Sequence, residues 1–159
     1  MPTAAAASGT AAITRLSDFN RDGFTDLVAR DAAGLLWLYP GRGNSALSAR
    51  RQIGTGFNFH TNAANLNGVG RPDLLYRDSN GALWLYPLNG NAVFSTYTKI
   101  GQGWGDTTIL GPGDLTGDGH ADVLGRNTSG QLRLYRGDGT GRIAGGTLVG
   151  NGWSELSPW

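Results

Sequence analysis

Cysteine is absent from the 159 residues. That excludes disulfides, thiolate metal sites and a cysteine nucleophile, and leaves the compartment open. Histidine is scarce, with only His60 and His120, and Lys99 is the only lysine beside twelve arginines, a weak sign of a GC-rich bacterial genome. No apolar run approaches the ~18 residues that span a bilayer, so no membrane insertion is expected. The formal net charge is +1, too small a field to suggest nucleic acid or an anionic membrane as partner. Met1 to Thr10 lacks both the charged and the leucine-rich regions of a signal peptide and reads as a linker or tail. The chain has no G-x-S-x-G elbow, no H-E-x-x-H pair and no phosphate loop.

What is abundant is glycine, 27 residues of it, without a collagen-like period. Short runs of Leu, Val, Tyr and Trp lie between the glycines, the pattern of many short strands rather than helices.

These runs repeat. Asp18, Asn20, Asp22, Gly23 and Asp26 are followed 47 residues on by Asn65, Asn67, Val69, Gly70 and Asp73, and 49 further on by Asp114, Thr116, Asp118, Gly119 and Asp122. Arg30, Arg77 and Arg126 recur in register, as do Gly34, Gly81 and Gly130, then Leu36, Leu83 and Leu132, then Tyr39, Tyr86 and Tyr135. Each unit closes on a glycine and an aromatic: Phe57, Trp104 or Trp153. Each holds about four strand candidates, the spacing of β-propeller blades. The strands Leu36 to Tyr39 and Leu83 to Tyr86 are apolar on both faces, as stacked sheets require and a sheet with one wet face does not. The expectation is an all-β propeller of four-stranded antiparallel blades. Residues 1–9 form a tail, 10–57 blade one, 58–104 blade two, 105–153 blade three, and 154–159 the start of a further blade or a tail. Three blades leave sheet edges bare, so the expectation is part of a larger propeller or a homo-oligomer; two copies would give six blades.

In the first unit, oxygen ligands fall at loop positions 1, 3, 5 and 9, with Phe24 offering its backbone carbonyl at position 7 and Gly23 permitting the sharp turn. This spacing wraps a hard cation that takes six to eight oxygens. Three carboxylates within nine residues repel one another unless a cation neutralises them. The third unit repeats the set with Asp114, Thr116, Asp118, the carbonyl of His120, and Asp122. The reading is two Ca²⁺ sites per chain of structural role. The competing reading is that Asp, Asn and Gly make good turns, and it is preferred for the middle unit, where only Asp73 is acidic. Position 12 is Ala29 or Gly125 rather than Glu, which excludes an EF-hand.

The D-x-N-x-D-G-x-x-D-L-V loop followed by L-W-L-Y resembles the FG-GAP/VCBS repeat of integrin α-subunit propellers and of many secreted bacterial proteins. The resemblance covers residues ~10 to 159. It implies Ca²⁺ in the loop between the first two strands of a blade, held by Asp18, Asn20, Asp22, Phe24 and Asp26, and by Asp114, Thr116, Asp118, His120 and Asp122. It also implies recognition rather than catalysis, in a secreted or cell-surface setting, with a glycan or protein as ligand. Among the residues themselves, Phe57, Trp104 and Trp153 are candidates to stack on sugar rings, with Asn62, Asp106 and Asn151 as polar neighbours. The alternative for these aromatics is that they wedge between blades. Trp37 and Trp84 read as core. Arg30, Arg77 and Arg126 read as bridges between blades or covers over aromatic faces.

Overall fold

Strands form where branched and aromatic residues cluster, and turns form at the glycines between them. The computed structural model describes residues 12–57, 61–94 and 96–155; the side chains of residues 12–16 and 61–64 lie outside that description. Strands β1 (Ala12–Ser17), β2 (Asp26–Arg30), β3 (Leu36–Tyr39) and β4 (Arg51–Gly54) make one antiparallel sheet in chain order. Strands β5 (Thr61–Ala64), β6 (Asp73–Arg77), β7 (Leu83–Pro87) and β8 (Thr98–Gly101) make a second. Strands β9 (Thr107–Gly113), β10 (Asp122–Asn127), β11 (Leu132–Gly137) and β12 (Ile143–Gly150) make a third. The first strands neighbour one another across sheets, β1 beside β5 and β5 beside β9. This is the blade stacking of a propeller.

The middle sheet shows why its strands are apolar on both faces. Leu74 and Leu88 face the first sheet and join Phe19, Val28, Leu36, Leu38 and Phe57. Leu75, Leu83 and Leu85 face the third and join Leu66, Trp104, Ile109 and Val123. Neighbouring residues of β6 thus serve two different cores, as the pleat dictates. The same register fixes the junctions. The β2–β3 ladder pairs Leu27 with Tyr39 and Arg30 with Leu36, and the β6–β7 ladder pairs Leu74 with Tyr86 and Arg77 with Leu83.

Each sheet closes on its aromatic in the same way. The backbone N–H groups of Phe57, Trp104 and Trp153 donate to the carbonyls of Gly34, Gly81 and Gly130 at 3.0, 2.9 and 3.0 Å. Each ring lies over a strand-end glycine, Gly54, Gly101 or Gly150, where a Cβ would collide with it. Arg77 Nη1 crosses from the second sheet to the carbonyls of Trp104, Gly105 and Thr107 at 3.1, 2.6 and 2.9 Å. Arg126 repeats the contact to the Trp153 carbonyl at 2.9 Å. A guanidinium bonded to the carbonyls of the closing turn explains the recurrence of this arginine at Arg77 and Arg126.

Two expectations need correction. Trp37 and Trp84 are half-buried rather than core. Their indole N–H groups donate to Asp31 and Asp78 at 2.9 and 2.8 Å, so each ring clasps the turn preceding its strand. The guanidinium of Arg50 covers the outer face of Trp37 at 4.1 Å. Phe57 and Trp104 are 4% and 5% exposed. Phe57 packs on Tyr76, Tyr86 and Phe94, and Trp104 on Tyr135. Neither offers a free face to a sugar ring; both wedge between sheets.

Candidate functional sites: the aspartate loops and an inter-sheet cleft

The three loops that join first to second strands share one backbone course. Position 4 is left-handed in each, at Arg21, Gly68 and Gly117, with φ of 64, 69 and 79°. Position 6 is left-handed as well, at Gly23, Gly70 and Gly119, with φ of 87, 70 and 90°. The middle loop keeps this course with no acid at positions 1, 3 and 5, so the left-handed turns at positions 4 and 6 do not depend on carboxylates there.

Position 9 anchors each loop. Asp26 Oδ2 accepts the N–H groups of Phe19 and Asn20 at 2.9 and 3.1 Å, and its Oδ1 accepts Gly41 N–H at 2.9 Å. Asp122 does the same with Leu115, Thr116 and Gly137, at 2.9, 2.9 and 3.1 Å. Both carboxylates are fully buried. Their geometry is that of structural anchors, with both oxygens engaged by backbone donors. The third bond needs a close approach of the following hairpin. At Gly41 and Gly137 a Cβ would stand 2.1 and 2.0 Å from the carbonyl oxygens of Thr25 and Ala121. In the middle sheet this position is Leu88, and there Asp73 Oδ1 takes the Asn67 side-chain amide at 2.8 Å instead.

The remaining acids lie at the surface. Asp18 accepts the N–H groups of Asp22 and Gly23 at 3.2 and 3.1 Å, and Asn20 accepts that of Asp22 at 2.9 Å. Asp22 accepts Phe24 N–H at 3.0 Å. Asp114 accepts Gly117, Asp118 and Gly119, at 2.6, 3.2 and 2.8 Å. Those donors, Gly119 foremost, hold its carboxyl below the usual range. Asp118 accepts His120 N–H at 2.9 Å. The rings of Phe24 and His120 lie over Gly43 and Gly139 of the facing hairpins. That leaves position 7 to contribute only backbone, as the spacing requires. Among the described residues, no three acidic or histidine side chains converge on one point. The donor set nevertheless suits a hard cation: every side-chain ligand at positions 1, 3 and 5 is an oxygen, two of the three are carboxylates, and all lie within five residues.

A cleft of 610 Å³ opens between the second and third sheets. Its apolar lining is Leu85, Pro87, Ile100 and Ile143; Asn67, Thr98, Lys99, Thr140 and Arg142 supply polar groups. It draws on β8 and the β11–β12 hairpin. None of Trp104, Trp153, Asp106 and Asn151 lines it. Asp106, Asn151 and Trp153 are exposed elsewhere, and the side chain of Asn62 lies outside the described residues. The cleft was not legible in the sequence because it forms between two sheets, from residues that the sequence places singly on a loop, on strands and on a hairpin. Lys99 as the single lysine was the one signal available.

Residues 65–125 match the FG-GAP-like repeat family. No curated protein sequence matches the chain significantly. Among solved structures, the fold is similar to a lectin of Agrocybe aegerita described as specifically recognising non-reducing terminal N-acetylglucosamine. The TM-score is 0.67 at 21% identity, over 91% of this chain and 39% of the lectin. The chain thus spans about two fifths of that lectin's length. Residues 65–125 therefore carry FG-GAP-like repeat sequence, set within three stacked four-stranded sheets of a β-propeller fold.

Proposed function

We propose that the chain is a non-catalytic recognition module that binds a glycan in the cleft between its second and third sheets, stabilised by Ca²⁺ in its first and third loops. The observation that carries the reading is the cleft itself. It sets an apolar floor beside amide, hydroxyl and cationic groups, and a sugar presents the matching pair of surfaces, a C–H face and a hydroxyl rim. The likeness of the fold to a lectin agrees with it. Asp18, Asn20, Asp22 and the Phe24 carbonyl would hold one ion, with Asp114, Thr116, Asp118 and the His120 carbonyl holding the other. Bound Ca²⁺ supplies charge neutralisation for the clustered carboxylates. Asp26 and Asp122 keep the loops wrapped from within. Millimolar extracellular Ca²⁺ suits loops of this kind, which favours a secreted or cell-surface setting.

Calorimetric titration of the calcium-loaded protein with glycans ending in N-acetylglucosamine tests the reading. Binding is expected, weakened about tenfold or more by Arg142→Ala and unchanged by Asp106→Ala. Absence of binding across a glycan panel, or binding indifferent to Arg142, would count against the cleft.

A further inference from the structure

The two internal junctions define which residues meet when one sheet docks on the next, and the chain's two outer faces carry the same positions uncovered. On the leading side, Phe19 and Leu66 are buried at 2% and 0% exposure; the equivalent Leu115 is 52% exposed. Ile53 and Ile100 pack against the inter-sheet cores, whereas Val149, at the same bulge beside the strand-end glycine, is 48% exposed. Phe57 and Trp104 are wedged, whereas Trp153 is 40% exposed. Yet Trp153 is held by the same backbone bond to Gly130 and over the same glycine, Gly150. Its pose is that of a wedge with no facing sheet among the described residues. On the receiving side, Tyr86 and Phe94 meet the ring of Phe57 at 5.5 and 5.6 Å. In the third sheet Tyr135 meets Trp104 at 4.5 Å and Ile143 packs into the same core. Their equivalents in the first sheet are Tyr39, half-buried, and Leu47, 46% exposed.

We propose that the outer face of the third sheet docks head-to-tail on the first sheet of a second copy of this chain, with Trp153 seated against Tyr39 and Leu47 of that copy. The occupant follows from the register. The face that Trp153 matches is the one the chain already builds twice, and the chain presents a third instance of it on its own first sheet. Two copies joined at both ends make six sheets, within the range of closed propellers. The contact is heterologous, pairing two different faces. It stands apart from the glycan reading, because neither Trp153 nor Leu47 lines the cleft.

Sedimentation velocity on the wild-type chain, Trp153→Glu, Leu47→Glu and an equimolar mixture of the two variants tests this. Both substitutions fall on side chains exposed in a single copy, so each variant is expected to fold. Wild type should have twice the 16.7 kDa of one chain. Each variant alone should sediment as one chain, because both of its junctions carry the charge. The mixture should regain a two-chain species through its one unaltered junction, which also shows that both variants are folded. A wild-type mass of one chain would overturn the proposal and point to a covering blade in a longer polypeptide. A pair broken by Trp153→Glu but not by Leu47→Glu would overturn it in favour of a face-to-face contact.

Discussion

Asp26, Asp73 and Asp122 hold the same position in the three sheets, and all three are fully buried. Burial pushes the Asp73 carboxyl up to about 6, against the lowering pull of Asn67 and Leu66 N–H groups. Burial also raises Asp26, outweighing its three backbone donors, and the charge of Asp22 adds a little. A carboxyl whose pKa rises on folding favours the folded state fully below its unfolded value of 3.8, and that contribution is lost as pH climbs through about 6. In chelator, the wild-type melting temperature should therefore fall by about 3 °C or more between pH 4 and 6.5. Asp73→Asn should flatten that segment; parallel curves would show that Asp73 is not its source. Arg21 gives a second test. It is the one non-glycine at a loop position that is left-handed in all three loops, a conformation costing about 1–2 kcal/mol for a side-chain-bearing residue. Arg21→Gly should stabilise the fold by about 1 kcal/mol in urea unfolding. The acids were plain in the sequence because their spacing is regular. Their division of labour was not, because Asp26 and Asp18 look alike until burial separates them.

At the scale of elements, the short apolar runs between glycines and the doubly apolar runs Leu36–Tyr39 and Leu83–Tyr86 sufficed to give four strands per sheet and stacked sheets. Side-chain destinations at the strand ends were harder to read. Trp37 sits in an apolar run, but the carboxylate of Asp31 captures its indole N–H and turns it outward. The closing aromatics were legible as repeats and ambiguous in role, since sugar stacking and wedging use the same flat apolar surface. Burial decides for wedging at two of three. Trp104→Ala should thus cost about 3–5 kcal/mol. Trp153→Ala, in the Leu47→Glu background that keeps copies apart, should cost less than about 1 kcal/mol. Equal losses would mean that Trp153 is buried in a single chain. The hairpin glycines carry a sharper constraint. A methyl group at Gly137 would press on the Ala121 carbonyl and move the N–H that reaches Asp122. Gly137→Ala should destabilise by about 1–3 kcal/mol.

At the scale of the whole molecule, one repeated unit places two acidic loops, two inter-sheet cores and two uncovered faces, and the loops are where the account is most exposed to test. Their clustered carboxylates carry negative charge that a cation would neutralise, and a site filled a hundredfold above its Kd would add about 2.7 kcal/mol. The most direct measurement is a native mass spectrum of the protein prepared in Ca²⁺ and repeated after chelation. Wild type should hold two ions per chain that chelation removes, Asp22→Ala and Asp118→Ala one each, and Val69→Ala still two. No bound ions, or equal counts in wild type and both aspartate variants, would contradict this and leave the loops as turns.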